Sequence, residues 1–306
     1  MGGVLVGFSI IGFVILVGYI VERFRIAGPG AGIVLNRMAF FVATPALLFT
    51  VLSHADPGLL FSTFLLTVLS TIVAGVVLYL VVARILFRLP VAETVLGAGS
   101  ATYVNANNIG LPVAIYVLGS ATYVAPVLLL QLLVIAPIIL AILDVSTSGR
   151  ISFRSIITQP LRNPMIIASV AGIVVAILGL QLPAPVLAPL ELIGGAAIPM
   201  VLMSFGMSLH GQRLLKKGTG RKQVFVATAI KVAVMPAVAY LLGRFVFDLG
   251  DAELFAVVAV SALPTAQNIF NFSARYNRAM IVTRDTVLLT TVASIPALLV
   301  IAALLA

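Results

Sequence analysis

Residues 92–118 read AETVLGAGSATYVNANNIGLPVAIYVL, and the reading of this stretch decides the fold. Its length fits one membrane crossing, which takes about 20 residues of helix. Its middle, however, holds Asn105, Asn107, Asn108, Gly110 and Pro112, which do not make an unbroken helix in hydrocarbon. Backbone groups left unpaired in lipid cost several kcal/mol, so a broken helix survives only inside protein or beside a watery cavity. Residues 252–276, AELFAVVAVSALPTAQNIFNFSARY, repeat the design around Pro264, Gln267, Asn268 and Asn271. Two broken crossings, each rich in amides, point to a binding site between them.

The rest of the chain is a membrane protein by composition. Of 306 residues, 62% are hydrophobic and 9% charged, and the mean hydropathy is +1.24; a soluble chain carries about 25% charged residues. The length accommodates about ten crossings and no soluble domain. The net charge of +9 does not mark a nucleic-acid binder, because the basic residues sit in short loops rather than on one basic face. No Cys is present, which removes disulfides and thiolate metal sites from consideration. The apolar run 4–20 lacks the basic start and small-residue cleavage site of a leader, so it is expected to be the first span.

Ten spans are expected, at 4–21, 29–52, 59–87, 92–118, 123–145, 164–182, 187–209, 223–247, 252–276 and 285–305. Lys and Arg fall in alternate loops: Arg23, Arg25 and Arg37 around the first, Arg84 and Arg88 in the third, Arg150, Arg154 and Arg162 in the fifth, Arg213 to Lys222 in the seventh, Arg275 to Arg284 in the ninth. The positive-inside rule makes those loops cytoplasmic and puts both termini outside a cell membrane. A shift of about 160 residues lays Arg84, Phe87, Ala92 and Glu93 on Arg244, Phe247, Ala252 and Glu253, and Ala106, Asn108 and Ile109 on Ala266, Asn268 and Ile269. Five spans per half is an odd number, so the halves are expected to be inverted: 1–145 and 164–306, with a cytoplasmic linker at 146–163.

Candidate site residues follow from depth. Asn107 lies 14 positions beyond Glu93, roughly 21 Å along a helix and near the midplane. Gln267 and Asn268 reach a similar depth from the other face. Helices restarting near Gly110 and Ile269 would direct their positive ends there and favour an anion; Gly110, Pro112 and Pro264 are the expected helix breaks. Lys231 stands about ten positions beyond Arg221, too deep to reach water easily, and is read as a countercharge for an anionic substrate. The competing reading has Lys231 bonded to main-chain carbonyls. Gln131 is a weaker substrate candidate, since a lone amide also joins helices, and Asn271 adds a further amide. Pro45, Pro199, Pro236 and Pro296 are expected to kink their helices. No metalloprotease, phosphate-loop or nucleophile-elbow motif is present, so neither enzyme activity, cofactor nor metal is expected.

LNRMAFFVATPALLF (35–49), NNIGLP (107–112), RNPMIIA (162–168), GGAAIPMVLMSFGMSL (194–209) and ALPTAQNIFNFSARYN (262–277) resemble the auxin efflux carrier family. The resemblance implies ten spans in two inverted five-span repeats, with spans 4 and 9 broken where they cross. It further implies a scaffold of spans 1, 2, 6 and 7, and a transport domain of spans 3–5 and 8–10 that moves like an elevator. Homodimers through the scaffold are also implied, with Asn108 and Asn268 at substrate-contacting positions. The short central loop and the lack of an acidic residue in span 3 separate this chain from plant auxin carriers and bring it closer to short-loop microbial members linked to malate- or malonate-like dicarboxylates. Two alternatives accompany the organic-anion carrier: a sodium-coupled symporter of the bile-acid type fold, and a membrane sensor that keeps the carrier fold without transport.

The topology is directly testable because the chain has no native Cys. Single cysteines at Ser120 and Pro185 are expected to react with an impermeant thiol reagent added outside intact cells, and cysteines at Ser148 or Thr219 only after permeabilisation. The reverse pattern would invert the orientation.

Overall fold

A computed structural model describes residues 2–55, 62–148, 162–210, 215 and 220–306. Among these residues the chain is helical, with no strand beyond one isolated bridge. In chain order the helices are α1 (Gly2–Arg23), α2 (Ala31–Met38), α3 (Thr44–Ser53), α4 (Thr63–Leu86), α5 (Val91–Thr102), α6 (Leu111–Tyr116), α7 (Ala125–Leu130) and α8 (Ala136–Ser148). They continue with α9 (Pro164–Ile177), α10 (Ala184–Gly195), α11 (Ala197–Ser208), α12 (Arg221–Ala229), α13 (Met235–Phe245), α14 (Asp251–Ser261), α15 (Gln267–Tyr276) and α16 (Met280–Leu305). Among the described residues, seven continuous helical segments are long and apolar enough to cross a membrane. Pro164–Ile177 is apolar but shorter, and the segments around 92–118 and 252–276 are interrupted. The linker expected at 146–163 lies largely outside the described residues; its first residues, Ser146 to Ser148, still belong to α8.

Four π-helical turns, 39–43, 106–110, 131–135 and 230–234, join α2 to α3, lead into α6, join α7 to α8 and join α12 to α13. Each is followed by a proline at the second position of the next helix: Pro45, Pro112, Pro137 and Pro236. A proline ring strikes the carbonyl four residues before it and leaves that carbonyl without its donor. That earlier residue is Phe41, Asn108, Leu133 or Val232, in each case the middle of the widened turn. Widening moves the carbonyl away from the ring and lets the helix continue in nearly the same direction. Of the prolines expected to kink, Pro45 and Pro236 use this device. Pro199 follows the junction at Ala196, whereas Pro296 lies within α16, which runs on unbroken.

The helices pack in two groups. In one, α1 and α2 lie against α11, and α3 lies against α9 and α10. Small residues make these approaches possible: a Cβ on Gly18 would stand 2.2 Å from the Met203 carbonyl oxygen, and one on Gly206 2.0 Å from that of Ile15. Such backbone proximity is the usual source of helix attraction where lipid offers no hydrophobic drive. Ser204 adds a hydrogen bond from its hydroxyl to the Gly32 carbonyl at 2.8 Å. In the other group, α5 and α14 are ringed by α4, α8, α12, α13 and α16. From Ala256 to Leu263 every residue is buried, whereas α1 turns Phe13 and Leu16 outward. The interrupted helices are thus sheathed in protein, as a broken backbone in a bilayer requires.

Gly206→Val is expected to destabilise the protein by about 1–3 kcal/mol, the usual cost of overpacking. The check is a melting curve of the detergent-solubilised protein, with Gly12→Val as control, since a Cβ at Gly12 meets nothing within 4 Å.

Candidate functional site

The site begins with the two interruptions, which pair with each other. Helix α5 ends at Thr102 and α14 at Ser261, and the extended residues that follow form an antiparallel bridge between Val104 and Thr265. The Asn105 N–H donates to the Pro264 carbonyl at 2.8 Å, and the Ala266 N–H to that of Tyr103 at 3.0 Å. Side chains satisfy what this bridge leaves over. The Thr265 N–H donates to Thr290 Oγ1 at 3.1 Å, and the Thr265 hydroxyl donates to the Ser100 carbonyl at 2.5 Å. The Ser261 carbonyl accepts from Lys231 Nζ at 2.8 Å.

Beyond the bridge both chains become helical sooner than the positions of Gly110 and Ile269 imply. Asn105 is the reason on the first side: its Oδ1 accepts from the Asn108 N–H at 3.0 Å and its carbonyl from Gly110 at 2.8 Å, which starts the turn at Ala106. Gly110 and Pro112 therefore lie inside helical structure, and of the three expected breaks only Pro264 is in extended chain. Gly110 serves packing instead, since a Cβ there would meet Leu263 Cδ1 at 3.0 Å and Val124 Cγ1 at 3.1 Å. On the second side α15 starts at Gln267 with no side-chain cap, so its first N–H groups have no partner within the helix.

The amides converge. A cavity of about 120 Å³ is lined by Asn105, Asn107, Asn108, Gln131, Gln267, Asn268 and Asn271, with Asn36, Phe40, Tyr103 and Met165 also in the wall. Among the described residues no charged side chain lines it. Asn107 Nδ2 donates to Asn108 Oδ1 at 2.8 Å, while Asn107 Oδ1 and Gln131 Nε2 are buried without a hydrogen-bond partner. Unpaired buried amide atoms are costly, and together they offer an acceptor and a donor to a guest. Two more open cavities adjoin. One of about 660 Å³ shares Asn36, Asn108, Gln267 and Asn271 and reaches Glu22 and Arg37. The other, of about 230 Å³, shares Asn268 and Asn271 and reaches Asp144, Arg275 and Tyr276.

Six of the expected substrate residues, Asn107, Asn108, Gln131, Gln267, Asn268 and Asn271, thus meet in one place. Lys231 does not join them. It lines none of these three cavities and is fully buried on the Ser261 carbonyl, behind the bridge. Its depth, in the turn just beyond α12, is readable from the sequence, but the face it takes depends on the packing of α12 and that turn against α5 and α16. Asn36, Arg37 and Arg275 line these cavities without having been singled out as binding residues. The only signal in the sequence for Asn36 is a polar residue directly before Arg37 in an otherwise apolar span. A buried carboxylate was also unexpected: Asp285 accepts from Arg284 at 2.7 and 2.9 Å and from the Leu215 N–H at 3.0 Å.

A family model described as membrane transport protein matches residues 8–152 and 148–302. The chain belongs to the auxin efflux carrier family of membrane transport proteins. It is 26% identical, over 92% of its length and 89% of the relative's, to a Rhizobium meliloti protein named "Putative malonate transporter". It is 24% identical, over 92% of both chains, to an "Uncharacterized transporter" of Methanocaldococcus jannaschii. The chain is therefore an integral, multi-pass membrane transporter and not an enzyme.

Thr290→Val is expected to strand the buried Thr265 N–H and lower stability by about 1–3 kcal/mol. Thr286→Val is the matched control, because its hydroxyl donates only to the Val282 carbonyl one turn back. A clear gap between their melting temperatures is the expected result; equal values would mean that the bridge does not depend on Thr290.

Proposed function

We propose that this transporter is a secondary carrier of a small organic anion, a carboxylate, held where spans 4 and 9 cross. The observation that carries the reading is the uncharged amide cluster drawn from both interruptions, with Asn107 Oδ1 and Gln131 Nε2 unpaired in the same wall. The uncapped start of α15 adds a positive dipole end at Gln267, which favours an anion without the cost of burying a cation. Arg37 and Arg275 in the adjoining cavities would attract that anion from solution. The relative named as a malonate transporter supports a carboxylate, and malonate is the first compound to try.

In this reading the chain crosses the cell membrane ten times as two inverted repeats, with both termini outside. The two packing groups supply a division of labour: the group of spans 1, 2, 6 and 7 as scaffold, and spans 3–5 with 8–10 as the moving transport domain. With the basic loops inside, the two open cavities, which reach Arg37 and Arg275, would face inward. Alternating access would follow from an elevator-like slide of the transport domain, and the outward-turned Val186, Leu192 and Ile193 of α10 offer the scaffold a surface for a second copy.

Asn108→Ala and Asn268→Ala are expected to weaken malonate binding by about 1–3 kcal/mol each while leaving membrane insertion intact. Proteoliposome counterflow with radiolabelled malonate, alongside melting curves of the same preparations, tests this. Wild-type flux in both variants with reduced melting temperature would make the amides structural and displace the site.

A further inference from the structure

Lys231 is the least explained charge in the molecule. It is completely buried in the widened turn 230–234, and among the described residues it takes part in none of the ion pairs. Lys231 has no bond to the buried carboxylate Asp285, which is engaged by Arg284 and the Leu215 N–H. Its recorded partner is the Ser261 carbonyl, and that carbonyl has a particular status. Ser261 is the last residue of α14, and the N–H that would have closed the next helical bond, that of Thr265, is held by Thr290. Lys231 Nζ thus sits on the negative end of a helix dipole, which favours its charged form, at a carbonyl freed by the break. At the equivalent end of α5 the freed Ser100 carbonyl is capped by a neutral hydroxyl.

In carriers built from repeats with broken helices, unwound carbonyls and half-helix C-terminal ends are where a coupling cation is held. Here an ammonium belonging to the chain stands at such an end. We propose that Lys231 is a tethered substitute for a coupling cation: it neutralises the freed end of α14, holds the bridge closed behind the amide cluster, and removes the need for sodium. It is a positioning residue, acting on the substrate through Ser261 and the bridge without touching it. The inference rests on the carrier reading above, and it separates this chain from a sodium-coupled symporter by a residue rather than by an ion.

Proteoliposome counterflow of malonate is measured in matched sodium chloride and choline chloride. Wild-type flux is expected to be the same in both. Lys231→Ala, which leaves room for a small cation, is expected to lose at least about tenfold in flux, as a tenfold factor per ~1.4 kcal/mol allows, and to regain part of it with methylammonium or sodium. Lys231→Met fills the space without charge and is expected to be inactive and unrescued. Sodium-dependent wild-type flux, wild-type rates in Lys231→Met, or failure of both cations to restore flux and raise the melting temperature of Lys231→Ala would each overturn the proposal. If the wild-type protein carries no malonate, the carrier reading loses its test substrate, yet the melting temperature of Lys231→Ala with and without methylammonium still decides whether a cation is missing there.

Discussion

Two backbone hydrogen bonds, from Asn105 to Pro264 and from Ala266 to Tyr103, make the rest of this structure possible. Water cannot satisfy peptide groups at the centre of a bilayer, so a chain that stops being helical there has to find partners inside the protein. Each interruption supplies them for the other. The pairing then fixes where four helix ends lie. The two starts, at Ala106 and Gln267, open onto the amide cavity; near the two finishes the Ser100 carbonyl is capped by the Thr265 hydroxyl and the Ser261 carbonyl by Lys231, and neither capping side chain lines the cavity. Binding chemistry and structural capping are consequently separated by the bridge.

The widened turns belong to the same economy of backbone groups. Proline inside a membrane helix normally leaves a carbonyl bare, and here the π turn shifts that carbonyl away from the ring while a polar side chain is placed on the same turn. Asn108, Gln131 and Lys231 all stand in such turns. The prolines thus do more than bend helices: in three of the four cases the turn they require also carries a polar residue of the site or its cap.

Much of this was legible in the sequence, and the reason is solvent. In a bilayer a cluster such as Asn-Ala-Asn-Asn-Ile-Gly or Pro-Thr-Ala-Gln-Asn contradicts its surroundings so strongly that a break and a buried polar site are the remaining options. The amides Asn107, Asn108, Gln267 and Asn268 could be found that way. Depth along a helix is also readable, which located Lys231, and the competing reading named a main-chain carbonyl as its partner; which carbonyl was not readable, because azimuth depends on which neighbour packs where. The start of the first half-helix was misplaced for a different reason. Asn105 looked like part of the break, and its side chain is instead the cap that ends it. Asn36 was not singled out because its role comes from α2 lying opposite α15, a long-range fact that a polar residue beside Arg37 does not reveal.

The composition of the cavity wall bears on how access could alternate. The amides of Asn107, Asn108, Gln131, Gln267 and Asn268 come from one packing group, and Asn36, Phe40 and Met165 from the other. Within the first group the amides are held by the bridge and by widened turns, so their geometry is internally fixed. Across the groups α11 passes the turn 106–110, α3 passes residues 121–123, and α1 passes α6 at Gly7, where a Cβ would meet the Tyr116 carbonyl oxygen at 2.3 Å. A slide of one group past the other would therefore replace Asn36, Phe40 and Met165 with different wall residues while leaving the amide cluster whole. A guest bonded mainly to the amides would keep its hydrogen bonds through such a movement, and the part of its enclosure to change would be the wall contributed by Asn36, Phe40 and Met165.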